Sequence, residues 1–223
     1  MPRIARVTLP GYPHHITQRG NNREDVFFDD EDRVFYRSTL KRYCECDSCR
    51  VDIVSYCLMN NHVHLLAVPL EDDALARCVG RTNLLYTQYV NRKYQRSGRL
   101  WQNRFYSTIV DTDAYLWAVM RYIEFNPVKA GIVRNPVEYP WSSCRATVEG
   151  VNDELITSSM WFDTHDRAAY GRFVMQRDSA MDETIRRATS SGRPLGDAGF
   201  VEGLEKILSR KLVAGRRGRP RKK

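Results

Sequence analysis

The sequence has no apolar run near the roughly 20 residues that a membrane-spanning helix requires. Its amino terminus also lacks the apolar stretch of a secretory signal peptide. We therefore predict a cytoplasmic protein with no membrane partner. Hydrophobic residues still make up 42% of the sequence, which is enough for a packed core. A length of 223 residues allows one good-sized domain with an appendage, or two small domains.

Acidic residues are missing from two long stretches. Residues 74–110 contain seven arginines and lysines but no acid, and residues 206–223 contain nine and again no acid. Removing those nine charges from the net charge of +8 leaves −1 for residues 1–205, so the tail causes the high pI. Two separate basic segments indicate a polyanionic partner, most often nucleic acid. A solvated helix face and a solubilising tail are the alternative.

Paired C-x-x-C units, as in a structural zinc site, are also missing. Three of the six cysteines form a C-x-C-x-x-C cluster, Cys44, Cys46 and Cys49, and no second pair follows it. Because zinc sites normally combine two such pairs, we interpret these cysteines as reduced thiols near a helix end. Whether they bind a metal stays open at this point.

The hydrophobic pattern alternates between the two-residue period of strands and the period of amphipathic helices. Its order is that of the split β-α-β, or ferredoxin-like, fold, an α+β palm with an antiparallel sheet. A polar turn at Asn60–Asn61 predicts a hairpin between the second and third strands. The predicted strands are 13–22, 51–59, 62–69 and 100–110, and the predicted helices are 29–47, 72–95 and 111–126.

The hydrophobic periodicity becomes less regular after about residue 147, and no internal repeat is evident. We predict a main domain of residues 1–146 and a small helical appendage of residues 147–212. Residues 213–223 would form a basic tail.

Two histidines, His62 and His64, lie one residue apart in an apolar strand. Since strand side chains alternate, both imidazoles face one side of the sheet. They form either a hydrogen-bonded polar pair in a core or half of a metal site. Tyr122 and Asn126 lie four residues apart on a helix and share a face, so Asn126 could complete the metal site beside the Tyr122 phenol. Tyr115 lies on nearly the same face, and spacing does not choose between the two tyrosines.

Five segments together resemble the single-tyrosine HUH transposases, and more narrowly the REP-associated tyrosine transposases of bacteria. They occur in order over about the first 145 residues, and jointly they are far more specific than an H-x-H pair. The segments are GYPHHITQRGNNRE (11–24), YCLMNNHVHLLAVP (56–69), LWQNRF (100–105), MRYIEFNPVKAG (120–131) and YPWSS (139–143).

The resemblance implies a function for the residues that match. His62 and His64 would bind Mg²⁺ or Mn²⁺ with Asn126 as third ligand, and Tyr122 would attack single-stranded DNA. The products would be a 5′-phosphotyrosine and a free 3′-OH. Residues 1–146 would be the catalytic domain of a bacterial, nucleoid-associated enzyme that acts as a monomer or a homodimer.

Several polar residues are candidates for binding the palindromic hairpin that family members recognise. A polar stretch near the first strand suits contact with bases and phosphates, and two residues of the predicted fourth strand suit the hairpin backbone. The tail resembles an AT-hook, in which arginines enter a narrow minor groove; the alternative is a disordered basic tail. These candidates are Arg19, Asn21, Asn22, Arg23, Gln102, Arg104, Arg217 and Arg219.

Two other functions compete with a transposase. A catalytically silent hairpin-binding protein, such as a repressor, would have the same positively charged segments but would form no phosphotyrosine. A metal hydrolase would need further ligands, for which the sequence offers His14, His15 and His165.

Overall fold

The computed structural model describes residues 7–112, 115–157 and 167–212. Four strands form one antiparallel sheet with the order β2-β3-β1-β4. The strands are β1 (His14–Arg19), β2 (Val51–Met59), β3 (His62–Pro69) and β4 (Tyr106–Ile109). Helix α1 (Asp30–Cys44) joins β1 to β2, and helix α2 (Ala74–Lys93) joins β3 to β4. This order and this pairing confirm the predicted ferredoxin-like fold.

Local sequence signals explain where these elements begin and turn. Asp29 accepts a hydrogen bond from the backbone nitrogen of Asp32, and the Asp32 carboxylate accepts one from Asp29 in return, which caps the start of α1. Asn60 and Asn61 form the two-residue connection of the predicted hairpin, whose first paired residues are Met59 and His62. Both predictions are confirmed.

The two faces of the sheet pack against different helices. Helices α1 and α2 cover the face that carries Ile16, Val63 and Leu65. The other face carries Leu66 and Val68 and packs against helices from the second half of the chain. These are α3 (Leu116–Glu124), α5 (Cys144–Glu149), α6 (Arg167–Val174) and α7 (Ser179–Ser191). His62 and His64 alternate with Val63 and Leu65, so they lie on this second face.

The predicted strand 100–110 is wrong in its first half. Residues 106–109 pair as β4, and Trp101 forms only an isolated bridge with Gly20. Asn103 has a φ of 63°, a left-handed conformation that interrupts a strand. Gln102 and Arg104 therefore lie in the irregular segment before β4. A Cβ at Gly20 would collide with the Glu24 carbonyl, which explains the glycine in the turn after β1.

The third predicted helix is shorter than expected. Helix α3 ends at Glu124, and the single turn α4 (Asn126–Lys129) follows Phe125. Pro127 has no backbone N–H to donate to the carbonyl of Ile123, so the regular helix ladder breaks there. The side chain of Asn126 compensates, because its Nδ2 donates to the carbonyl oxygens of Tyr122 at 2.6 Å and Ile123 at 3.4 Å.

The C-terminal segment is helical and contributes to the second core. Helix α5 crosses the boundary predicted at residue 146, and Tyr170 of α6 and Ile185 of α7 are buried against the same face as α3. Helix α8 (Ala198–Ile207) completes the described chain. The division at residue 146 stays a prediction, and residues 213–223 lie outside the described residues. Within the described ranges no helix is long and apolar enough to span a bilayer.

Candidate active site

A cavity of about 680 Å³ opens on the second face of the sheet, between β1, β3, α4 and α7. Six of the residues predicted for the transposase site line it: the two histidines, the tyrosine, the asparagine and two DNA-binding candidates. They are His62, His64, Tyr122, Asn126, Arg19 and Gln102. The structure thus brings together groups from four separate segments of the chain.

Tyr122, and not Tyr115, lies beside the histidine pair. The ring centroids of Tyr122 and His64 are 5.5 Å apart, and those of His62 and His64 are 4.9 Å apart. Tyr115 precedes the first turn of α3 and does not line the cavity. Geometry therefore separates two tyrosines that helical spacing left equivalent, and a single chain supplies the phenol and both imidazoles.

A hydrogen-bond chain fixes the tautomer of His62. Asn61 Nδ2 donates to the carbonyl oxygen of Arg23 at 3.0 Å, which turns Asn61 Oδ1 toward His62 Nδ1 at 2.6 Å. An amide oxygen can only accept, so His62 Nδ1 carries the proton and Nε2 carries the lone pair. The polar turn that follows β1 thus orients an imidazole on β3.

His15 is a third imidazole that the sequence offered only to the hydrolase alternative. Its Nε2 lies 3.1 Å from His64 Nδ1, and its ring centroid lies 5.5 Å from that of Tyr122. Burial lowers the pKa of His15 to about 3 and that of His62 to about 4, and it lowers the pKa of His64 as well. All three rings are therefore neutral near pH 7 and retain a lone pair.

The charges around Tyr122 shift the pKa of its phenol in opposite directions. Burial is the largest effect and raises the pKa of the phenol, and Asp182 adds to it. Arg186 and Arg19 oppose that shift, because positive charge favours the phenolate. Lys129 Nζ also lies 5.7 Å from the centroid of the Tyr122 ring.

The donor set suits a divalent cation of intermediate hardness. Asn126 Nδ2 is committed to helix carbonyls, which leaves Oδ1 as the atom that can bind an ion. Two imidazoles with one amide oxygen match Mn²⁺ well and Mg²⁺ less well. No cluster of three or more His, Cys, Asp or Glu residues in the described ranges is placed to hold a metal.

The other DNA-binding candidates among the described residues do not line this cavity. Asn21, Asn22 and Arg23 form a short 3₁₀ turn after β1. Arg104 lines a separate pocket with Arg99 and Asn103. Arg217, Arg219 and the alternative ligand His165 lie outside the described residues.

Sequence reasoning missed a group of cations that line the cavity. Lys129 belongs to a quoted motif but was not singled out, and Arg186 and Arg187 come from α7, whose role the sequence left open. Nothing local marks α7 as part of the site, since only the tertiary fold brings it over β1.

Comparisons with known proteins identify the family of this chain. The family model described as "Transposase IS200 like" matches residues 9–126, which is just over half of the chain. The chain belongs to the IS200-like transposase family. It is therefore a member of a family of DNA-processing enzymes, and the resemblance seen in the sequence is confirmed.

One relative and one solved structure are similar to this chain. A protein of Haemophilus influenzae named "Putative REP-associated tyrosine transposase" is 30% identical over 124 residues, which cover 51% of this chain and 69% of the relative. A structure of a REP-associated tyrosine transposase bound to a REP hairpin superposes with a TM-score of 0.57 at 18% identity. That match covers 71% of this chain and 93% of the solved one, and it shows the fold.

Glu124 anchors the helix of this transposase that carries Tyr122. Its carboxylate is fully buried and accepts hydrogen bonds from four hydroxyl groups on β2, α6 and the α5 region. Burial raises the pKa of Glu124, and the four hydroxyl groups oppose that shift. The donors are Ser55 at 3.2 Å, Ser143 at 2.6 Å, Thr147 at 3.0 Å and Tyr170 at 2.8 Å.

We expect Glu124→Ala to lower the free energy of unfolding by about 3 kcal/mol or more, because it opens a cavity and leaves buried hydroxyls without an acceptor. Glu124→Gln, which keeps the volume and one acceptor, should cost less. Urea denaturation measures both. Glu149→Ala is the matched control, since that exposed glutamate makes one ion pair with Arg145 at 3.5 Å. A Glu124→Ala midpoint equal to that of the control would contradict the anchoring role.

Proposed function

We propose that this chain is a single-strand DNA transposase that binds palindromic REP-type hairpins and cleaves and rejoins DNA through Tyr122. The observation that carries this proposal is the position of the Tyr122 ring, 5.5 Å from His64 in a cavity lined by cations. The names of the relative and of the structural neighbour support the hairpin as the partner.

The residues of the cavity would have separate roles in phosphodiester cleavage. His62 Nε2, His64 Nε2 and Asn126 Oδ1 would hold Mg²⁺ or Mn²⁺, which when bound polarises the scissile phosphate. Tyr122 Oη attacks the phosphorus atom as the P–O3′ bond breaks. The proton released by the phenol balances the proton taken up by the O3′ leaving group, so the DNA leaves with a free 3′-OH. The 5′-phosphate then stays on the tyrosine until a 3′-OH attacks it and restores the phenol.

The cations position the DNA backbone rather than read its sequence. Arg19, Lys129, Arg186 and Arg187 surround the cavity and can neutralise phosphates on either side of the scissile bond. Three of them also form ion pairs: Lys129 with Asp182 at 2.9 Å, Arg187 with Glu183 at 2.7 Å, and Arg186 with the same Glu183. DNA phosphates would compete with those carboxylates for the cations.

A covalent adduct tests the proposal. We expect the purified protein, incubated with a labelled hairpin that carries a single-stranded flank and with Mg²⁺ or Mn²⁺, to retain label on a denaturing gel. Tight hairpin binding without any adduct would show a DNA-binding protein that lacks the chemistry. Because one chain supplies the tyrosine and both histidines, the adduct should form whether the protein is a monomer or a homodimer.

The tail should contribute affinity but not chemistry. Deleting residues 213–223 removes six arginines and lysines. If each neutralises one phosphate, the slope of log K against log[salt] falls by up to about 4, at roughly 0.7 per contact on a single strand. Fluorescence anisotropy over a salt series measures this change, and adduct formation at saturating DNA should stay constant.

A tail with the same residues in scrambled order separates the two interpretations of this segment. An AT-hook loses its preference for A·T-rich stems on scrambling, whereas a generic basic tail keeps its full effect. An unchanged salt slope after deletion would contradict any role of the tail in DNA binding.

A further inference from the structure

Thr189 on α7 is connected to His64 on β3 through His15 on β1. Thr189 Oγ1 lies 2.7 Å from His15 Nδ1, and His15 Nε2 lies 3.1 Å from His64 Nδ1. The three side chains are at most 5% exposed, so bulk water does not compete for these bonds. Since buried polar groups need partners, this chain of bonds decides which nitrogen of each ring carries the proton.

The Thr189 hydroxyl sets the direction of donation. Its single proton has an acceptor in the carbonyl oxygen of Ile185, 2.9 Å away on the preceding turn of α7. With the proton donated there, Thr189 Oγ1 accepts from His15 Nδ1–H, and the His15 ring keeps a lone pair on Nε2. That lone pair accepts from His64 Nδ1–H. His64 is left with its own lone pair on Nε2.

The placement of the two rings fits a direct hydrogen bond between His15 and His64. Their planes differ by 12°, and their centroids are 5.3 Å apart. The distance between the centroids exceeds the 3.1 Å distance between the two nitrogens by about two ring radii. The two nitrogens therefore lie close to the line that joins the centroids and face each other. Two imidazoles that face each other across an ion would be about 4 Å apart, since each bond is about 2 Å long.

We propose that Thr189 and His15 are positioning residues that hold His64 in its Nδ1–H tautomer. Nε2 is then the nitrogen that His64 offers to a divalent cation, as Asn61 arranges for His62. The inference rests on the proposed function, in which His64 is a metal ligand. It also gives α7 a specific role in the site, because such outer partners orient ligand imidazoles and raise their affinity.

Removing the hydrogen-bond acceptor Thr189 Oγ1 tests this chain of hydrogen bonds. In Thr189→Val the N–H of His15 Nδ1 would face a methyl group, so His15 no longer favours the tautomer that accepts from His64. We expect the His64 proton to shift from Nδ1 toward Nε2, and Mn²⁺ affinity to fall about 10- to 100-fold. Thr189→Ser keeps the hydroxyl and should restore both properties.

Two measurements read the result without DNA. Long-range ¹H–¹⁵N correlation of the metal-free protein reports the tautomer of His64, which is one of only five histidines. Electron paramagnetic resonance of free Mn²⁺ gives the dissociation constant. Thr184→Val is the matched control, because Thr184 is exposed on the same helix, donates to the Ala180 carbonyl at 3.0 Å and does not line the cavity.

Each outcome decides the inference. A wild-type His64 protonated on Nε2 would overturn it, and so would a Thr189→Val protein with wild-type tautomer and Mn²⁺ affinity. Failure of the hairpin to form a covalent adduct would instead overturn the proposed function. The tautomer would still be measured in that case, so the two failures are distinguishable.

Discussion

Tyr122→Phe should abolish the covalent protein–DNA adduct, with a loss of at least about 10³-fold in the rate of cleavage. The substitution removes one oxygen and keeps the ring that packs 5.5 Å from both His15 and His64. Fold, metal affinity and hairpin affinity should therefore stay close to wild type. Denaturing gels with labelled hairpin measure the adduct, and anisotropy measures the binding.

Tyr115→Phe is the matched control for this prediction. Tyr115 lies on the same segment of the chain but does not line the cavity, so its variant should form the adduct at the wild-type rate. An adduct that survives Tyr122→Phe and disappears with Tyr115→Phe would transfer the nucleophile to Tyr115. Loss of hairpin binding in Tyr122→Phe would mean that the hydroxyl group is needed for binding as well as for cleavage.

His64→Ala should have the second largest effect, a loss of about 10²-fold or more in cleavage at a fixed concentration of Mn²⁺. The loss of an inner ligand exceeds the 10- to 100-fold that outer partners typically cost. Chelation of the metal from the wild-type protein should give the same inactive state. In both cases the hairpin should still bind, since the cations that surround the cavity remain.

Adding Mn²⁺ back separates a metal role from a structural one. Wild-type activity should return after chelation when Mn²⁺ is supplied in excess. The His64→Ala protein should regain activity only at a much higher Mn²⁺ concentration or not at all. Its midpoint of urea denaturation should fall no further than is usual for the substitution of a buried residue. Full activity of the chelated wild-type protein would contradict metal dependence.

The parts of the site that depend on local backbone geometry could be predicted from the sequence. Alternation along a strand places His62 and His64 on one face whatever else packs there, and the Asn60–Asn61 turn fixes the hairpin that carries them. The α+β fold class followed in the same way from the order of the elements. Neither conclusion needed knowledge of distant contacts.

The parts of the site that depend on tertiary packing could not be predicted from the sequence. Tyr115 and Tyr122 are equivalent by helical spacing, and only the placement of α3 on the sheet separates them. Thr189 and Arg186 reach the cavity from more than 120 residues after His64, and no local pattern distinguishes them from other residues of an exposed helix. The strand predicted from residue 100 failed because Asn103 adopts a left-handed conformation that side-chain alternation does not reveal.

Peptide mapping of the adduct identifies the nucleophile. After reaction with a hairpin and Mn²⁺, the protein would be digested with nuclease and protease, and the modified peptide would be sequenced by mass spectrometry. We expect a 5′-phosphonucleotide on Tyr122, on the peptide that contains YIEFNPVK (122–129). A nucleotide on any other residue, or a cleaved hairpin with no modified peptide, would contradict this assignment of the nucleophile.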